Sequence, residues 1–256
     1  MTAPRITVVG ARLPTVGETV TGAVLARHPG GKGANQALAA QRLGGEVRLV
    51  ARIGRDAMAD EALALLRRQG VDLSGVITDE GAATGVALIA VSPEAENQIV
   101  VCPGANERLV PQDIPDLGMD ALVMQLEIPT ASVMAAATKA GSLVFVNLAP
   151  AADVPDALLK RADVLIVNES EAAFYGDRIM RSGGLVAVTL GSRGARMLKD
   201  GLVVAEAVAP KVKAIDTTGG CAARRAGARR CTGLCLRSRS TGGDTRRRAI
   251  VAADAR

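Results

Sequence analysis

Apolar and polar positions along this chain switch repeatedly between a strand-like and a helix-like period. Residues 6–10 form a short β-rich run ending in glycine, predicted as the first strand of a parallel sheet. Residues 19–26 alternate and predict an antiparallel strand. A glycine-rich turn at 30–33 precedes helical spacing over 35–43, which Gly44 and Gly45 close. Residues 47–53 read as a strand and 57–69 as an amphipathic helix stopped by Gly70. Two β-rich runs, 84–91 and 98–101, joined by a polar segment containing Pro93, predict a hairpin. Further along, strands are predicted at 121–126, 143–148, 164–167 and 185–190, with helices at 130–140 and from 169 to 175. A second hairpin is predicted from 195–199 and 203–208, turning at Asp200-Gly201. No internal repeat interrupts this order.

The alternation of strand and helix from residue 44 to 190 predicts an α/β fold, a parallel sheet with helices on both faces. The segments 19–26 and 84–101 do not fit it and predict a small antiparallel sheet set apart from the main layer. At 256 residues, 48% of them hydrophobic, the chain can bury a sizeable core and is not a disordered polymer. Aromatics are 1% with no Trp, so the core is aliphatic and base-stacking platforms for nucleic acid are not built.

Charge is unevenly placed. Residues 1–220 carry 21 Lys+Arg against 24 Asp+Glu, whereas residues 221–256 carry 10 Arg, no Lys and 2 Asp, so the whole positive excess sits in the tail. Residue 102 is the only cysteine of the body; Cys221, Cys231 and Cys235 lie in the tail. The apolar run at 1–10 is too short for a secretory signal, and no stretch of 18 apolar residues lacks charge. A reducing, cytoplasmic setting with free thiols and no membrane contact is the expectation.

Candidate chemistry begins at Pro29-Gly30-Gly31-Lys32-Gly33-Ala34-Asn35-Gln36, between a strand and a helix. Glycines there let backbone N–H groups approach a polar ligand, and the helix start favours an anionic or hydroxyl-rich one. It is not a Walker A loop, lacking the Lys-Ser/Thr pair, and by pattern alone a plain strand-to-helix turn fits equally. Gln125-Leu126-Glu127 ends a strand, where a carboxylate faces the ligand crevice of a parallel sheet or is simply solvated. Asn168-Glu169-Ser170-Glu171 follows another strand and reads as a capping box. Thr189-Leu190-Gly191-Ser192-Arg193-Gly194 is a glycine turn of the kind that wraps phosphate or adenosine.

Together these motifs resemble the ribokinase branch of the PfkB-type sugar kinases, as do Arg12-Leu13-Pro14, Gly17-Glu18-Thr19, Ile53-Gly54-Arg55-Asp56 and Asp216-Thr217-Thr218-Gly219. The resemblance covers about residues 5–219. It implies a ribokinase-like domain over 1–219, with lid segments at about 12–29 and 84–103, and transfer of a phosphoryl group from ATP to a primary hydroxyl of ribose or a similar sugar. It implies sugar contacts at Gly31, Lys32, Gly33, Asn35 and Glu127. Nucleotide contacts are implied at Asn168, Thr189, Gly191, Gly194 and Gly219. Glu171, Asp216 and Thr218 are the implied metal positions, for Mg²⁺ and a monovalent ion such as K⁺.

Two departures stand against full activity. The family's Asn-x-Asp between first strand and lid is missing, because Val9-Gly10-Ala11-Arg12 runs straight into Leu13-Pro14. The family's catalytic Asp aligns with Ala222, which cannot accept a proton, so no catalytic residue is assigned. From residue 220 the chain becomes an Arg- and Cys-rich tail outside the family pattern, and the switch reads as an out-of-frame or degraded gene segment. An intact Gly-Ala-Gly-Asp in another frame just after Gly219 would support that hypothesis, and an unbroken frame with no such coding potential would count against it. Three tail thiols without the paired spacing of a zinc site, and ten Arg without aromatics, leave a metal site and a nucleic-acid arm as weaker alternatives to an unpacked tail. Ribokinases pair through their lids; the shortened lid here argues against a homodimer.

Overall fold

The computed structural model describes residues 2–93, 97–209 and 248–252. In chain order the elements begin with β1 (Arg5–Val9), β2 (Val24–His28), α1 (Lys32–Arg42), β3 (Glu46–Gly54), α2 (Ala57–Arg68), β4 (Asp72–Asp79), β5 (Val86–Val91) and β6 (Asn97–Cys102). They continue with β7 (Ala121–Met124), α3 (Thr130–Lys139), β8 (Val144–Asn147), α4 (Asp156–Arg161), β9 (Val164–Asn168), α5 (Glu169–Tyr175) and α6 (Asp177–Met180). The last are β10 (Leu185–Thr189), β11 (Ala195–Lys199), β12 (Leu202–Ala207) and β13 (Arg248–Ala252).

Nine strands form the main sheet in the order β12-β11-β10-β9-β8-β7-β13-β3-β4. It is parallel from β4 to β10, and β11 and β12 add an antiparallel edge. Strands buried on both faces must be apolar at nearly every position. β3 shows it: Leu49 and Ala51 pack with Ala37 and Leu38 of α1 and Leu63 and Leu66 of α2, while Val50 joins the other core. On that opposite side α3, α4, α5 and α6 contribute Val133, Leu158, Tyr175 and Ile179 over Leu122, Val146, Leu165 and Val186. The expected α/β sheet with helices on both faces is therefore present.

A second sheet of four strands, β2-β1-β5-β6, forms the lid. β5 and β6 make the predicted hairpin, with Ile89 paired to Ile99. β1, predicted in the parallel sheet, lies here instead, antiparallel to β2 and parallel to β5, with Thr7 between Ala26 and Ile89. A five-residue β-rich run carries no information about its partner, and in the lid β1 satisfies ladders on both its edges. β2 starts at Val24 rather than at 19, because Gly22 turns with φ of 79° and breaks the extended run.

β4 has no counterpart among the predicted strands. Gly75 interrupts its apolar pattern, yet that glycine is what allows β3 so close: a Cβ there would lie 2.7 Å from the Leu49 carbonyl oxygen. The β11–β12 hairpin turns as expected at Asp200 and Gly201, both with positive φ (51° and 78°).

Candidate active site

The glycine turn delivers α1 to the carboxyl ends of the parallel strands. Gly31 is the residue before the helix and takes φ of 114°, a conformation that a side chain resists. Its carbonyl accepts the Asn35 amide at 2.7 Å, closing the first turn, and no side chain caps the helix. A helix start of this kind favours a hydroxyl or anionic ligand. Gly33 is buried against the sheet, and Lys32 and Asn35 are half-buried.

Glu127 follows β7 and meets this turn from the other side. Its Oε1 lies 3.4 Å from Lys32 Nζ, and the two side chains are only 7% and 14% exposed. Two residues earlier, buried Gln125 donates from Nε2 to Gln36 Oε1 on α1. The helix start and the end of β7 are therefore joined by an ion pair and a neutral hydrogen bond. Gln36 and Gln125 were not singled out from sequence, although both sit inside the motifs that were.

The predicted nucleotide residues gather on the neighbouring strand ends. Asn168 ends β9 and is the register partner of Thr189, which ends β10. Asn168 Oδ1 accepts the Glu171 amide at 2.8 Å, and the Glu171 carboxylate accepts the Asn168 amide at 2.7 Å, so the capping box forms. The Thr189 hydroxyl donates to the Val167 carbonyl at 3.3 Å. Gly191 has φ of 57° and nothing within 4 Å of where a Cβ would sit, so the turn is open to an approaching group. Gly194 is different: a Cβ there would lie 1.9 Å from the Ala207 carbonyl oxygen, which makes it a structural glycine. Arg193 pairs with Glu169 across this turn.

The residues predicted for sugar and for nucleotide share the carboxyl edge of one sheet, where such folds bind ligands. An exposed carboxamide, a hydroxyl and an open glycine turn suit a polyphosphate nucleotide by donor chemistry. Among the described residues no cluster of three or more His, Cys, Asp or Glu could hold a metal; the first turn of α5 carries two carboxylates, Glu169 and Glu171. Asp216, Thr218, Gly219 and Ala222, with the tail cysteines, lie outside the described residues. No described helix is long and apolar enough to cross a membrane.

A second linkage ties the main sheet to the lid. Asp56 caps α2 by accepting the Ala59 amide at 2.9 Å and also accepts the Thr84 amide at 2.7 Å. Thr84 Oγ1 in turn accepts the Gly54 amide at 3.0 Å. Burial works to raise the Asp56 pKa, but the Thr84 amide and hydroxyl and the Ala59 and Met58 amides outweigh it and hold it below the ordinary value. A groove of about 350 Å³ beside α2 and β4 includes Gly54, Asp56, Asp60 and Arg67 in its lining, but none of the predicted sugar or nucleotide residues.

The sequence profile of the pfkB family carbohydrate kinases matches residues 6–220. The ribokinase of Lactococcus lactis subsp. lactis is 33% identical over 223 residues, covering 81% of this chain and 73% of that protein. The ribokinase of Haemophilus influenzae is 40% identical over 143 residues, covering 53% of this chain and 47% of that protein, so the chain spans about half the length of this relative. The structure of Arabidopsis thaliana ribokinase complexed with ribose and ATP superposes with a TM-score of 0.70 at 26% identity, covering 86% of this chain and 79% of that one.

Proposed function

Because the chain belongs to the pfkB family of carbohydrate kinases, we propose that it binds a ribose-like sugar between α1 and the end of β7 and ATP along β9 and β10, and that phosphoryl transfer in this chain is impaired. The observation that carries the sugar site is the pairing of Lys32 with Glu127, which lie far apart in sequence and are each matched by resemblance to a sugar-holding position. Together they offer a donor and an acceptor to adjacent hydroxyls, and the helix start after Gly31 favours a hydroxyl-rich ligand beside them. Asn168, Thr189 and the open Gly191 turn would hold the nucleotide, with Glu171 as a carboxylate beside Mg²⁺. ATP, when bound, supplies the γ-phosphoryl group, and Mg²⁺ neutralises charge on its oxygens.

Transfer forms a bond from the sugar's primary oxygen to the γ-phosphorus and breaks the bond to the β–γ bridging oxygen. The hydroxyl proton must leave to an acceptor. Ala222 stands where the family has its Asp, so that proton goes to water. Losing a positioned base lowers the rate by about 10²–10⁴-fold. The same residue favours a second reading, a sugar-binding protein without turnover.

Calorimetric titration with D-ribose and a coupled ADP-release assay separate the possibilities. Ribose binding with ADP release far below about 1 s⁻¹, the lower end for kinases, is the expected result. Ribose-dependent turnover in the ordinary kinase range would overturn the impairment. Failure to bind ribose, 2-deoxyribose or another pentose would overturn the sugar site.

A further inference from the structure

An interior position of the main sheet, third from its β4 edge, is filled from late in the chain. β13 lies between β3 and β7 and is parallel to both, pairing Ile250 with Arg48 on one side and Leu122 on the other. The strands it separates are the two that carry the sugar site. α1, which supplies Lys32 and Gln36, packs over β3 and β13, while β7 leads directly to Gln125 and Glu127. Neighbouring strands stand about 4.8 Å apart, so a strand between β3 and β7 holds them about 10 Å apart. Without it, their inner edges would be left as unpaired backbone among Val47, Leu49, Leu122 and Met124, all at least nine-tenths buried. Direct pairing of β3 with β7 would instead close that gap by one strand width and carry α1 across Glu127.

We propose that Arg248–Ala252 is a positioning element of the sugar site: by spacing β3 from β7 it sets the Lys32–Glu127 and Gln36–Gln125 contacts. Residues 248–252 are then part of the working fold. The ligand half of this inference rests on the proposed sugar site; the strand half does not.

Hydrogen exchange on the full-length chain tests the strand half directly. Amides of residues 249–251 are expected to be protected to the level of those in β3 and β7. Exchange at the rate of an unstructured peptide, with β3 and β7 still protected, would overturn the proposal. Ile250→Pro removes a ladder N–H and tests the coupling. It should raise the ribose Kd by about tenfold, equivalent to about 1.4 kcal/mol, while the ATP Kd stays within a factor of about two. A merely destabilised chain would weaken both ligands, and Ile250→Val, which keeps the backbone donor, should restore ribose binding. Unchanged exchange and affinity in Ile250→Pro would sink the proposal. Global unfolding of that variant would agree with an interior strand. If 249–251 are protected in a chain that binds no pentose, the strand role survives and the sugar site falls.

Discussion

Lys32 and Glu127 face each other across 3.4 Å, with 14% and 7% of their side chains exposed, one at the start of α1 and the other just past β7. A charge pair so shielded tolerates the loss of both partners better than the loss of one, because a single deletion strands the remaining charge away from water. Glu127→Gln should therefore cost about 3 kcal/mol of unfolding free energy, and Lys32→Met a similar amount. The double variant Lys32→Met/Glu127→Leu should recover most of that stability, and all three should lose ribose binding. Urea unfolding of the four proteins checks it; additive losses would show that the pair is not coupled.

Asp56 joins two regions through one carboxylate, capping α2 at Ala59 and holding the Thr84 amide ahead of β5. Loss of an N-cap alone costs about 1 kcal/mol. Asp56→Ala should exceed that, because the buried Thr84 amide also loses its acceptor. Asp56→Asn, which keeps an oxygen acceptor, should fall between. Thermal unfolding of the two variants ranks them, and equal losses would mean that the Thr84 contact adds nothing.

Much of this arrangement was legible in the sequence. The helices over α1, α2 and α3 and the strands β3, β7, β8, β9 and β10 carry clear periods, because each buries one stripe or a continuous run. The pairs that build the sites were legible only as separate motifs; their meeting is a product of sheet order. β4 was hidden by Gly75, whose missing side chain serves a contact made by another strand. The places of β1 and β13 were hidden for a broader reason. A short apolar run shows that it wants a ladder, but nothing local says which ladder, and the selection is made by vacant edges elsewhere. The Gln36–Gln125 bond is similar: two neutral side chains distant in sequence leave no periodic trace.

The two glycines of the turn after β10, Gly191 and Gly194, should respond unequally to alanine. At Gly194, φ is 104° and a Cβ would stand 1.9 Å from the Ala207 carbonyl oxygen, so the β11–β12 hairpin must move. Gly194→Ala should cost upwards of about 3 kcal/mol. Gly191 also has positive φ, at 57°, but faces open space. Gly191→Ala should cost only about 1–2 kcal/mol and weaken ATP binding more than it weakens folding. Chemical denaturation alongside nucleotide titration separates the effects, and unchanged ATP affinity in Gly191→Ala would remove that residue from the proposed site.

Asp79 anchors an ionic network at the end of β4, where Arg52 Nε approaches at 2.8 Å and Arg108 at 3.3 Å, while a second Arg52 nitrogen reaches Asp113 at 2.7 Å. The Gly81 amide, then Arg108 and Arg52, hold the Asp79 pKa below its ordinary value despite opposing desolvation. A carboxylate whose folded pKa is depressed binds fewer protons in the native state than in the unfolded one. Its stabilisation is therefore complete above the ordinary Asp value of about 3.9 and drains away as pH falls through the lower folded pKa. The urea midpoint of the unaltered chain should decline steeply below about pH 4, and Asp79→Asn should flatten that decline while lowering the midpoint near neutrality. Arg52→Met should lower the neutral midpoint too, because it frees both Asp79 and Asp113 from the same guanidinium. If Asp79→Asn left the slope below pH 4 unaltered, the acid sensitivity would have to reside in other carboxylates, Asp56 first among them.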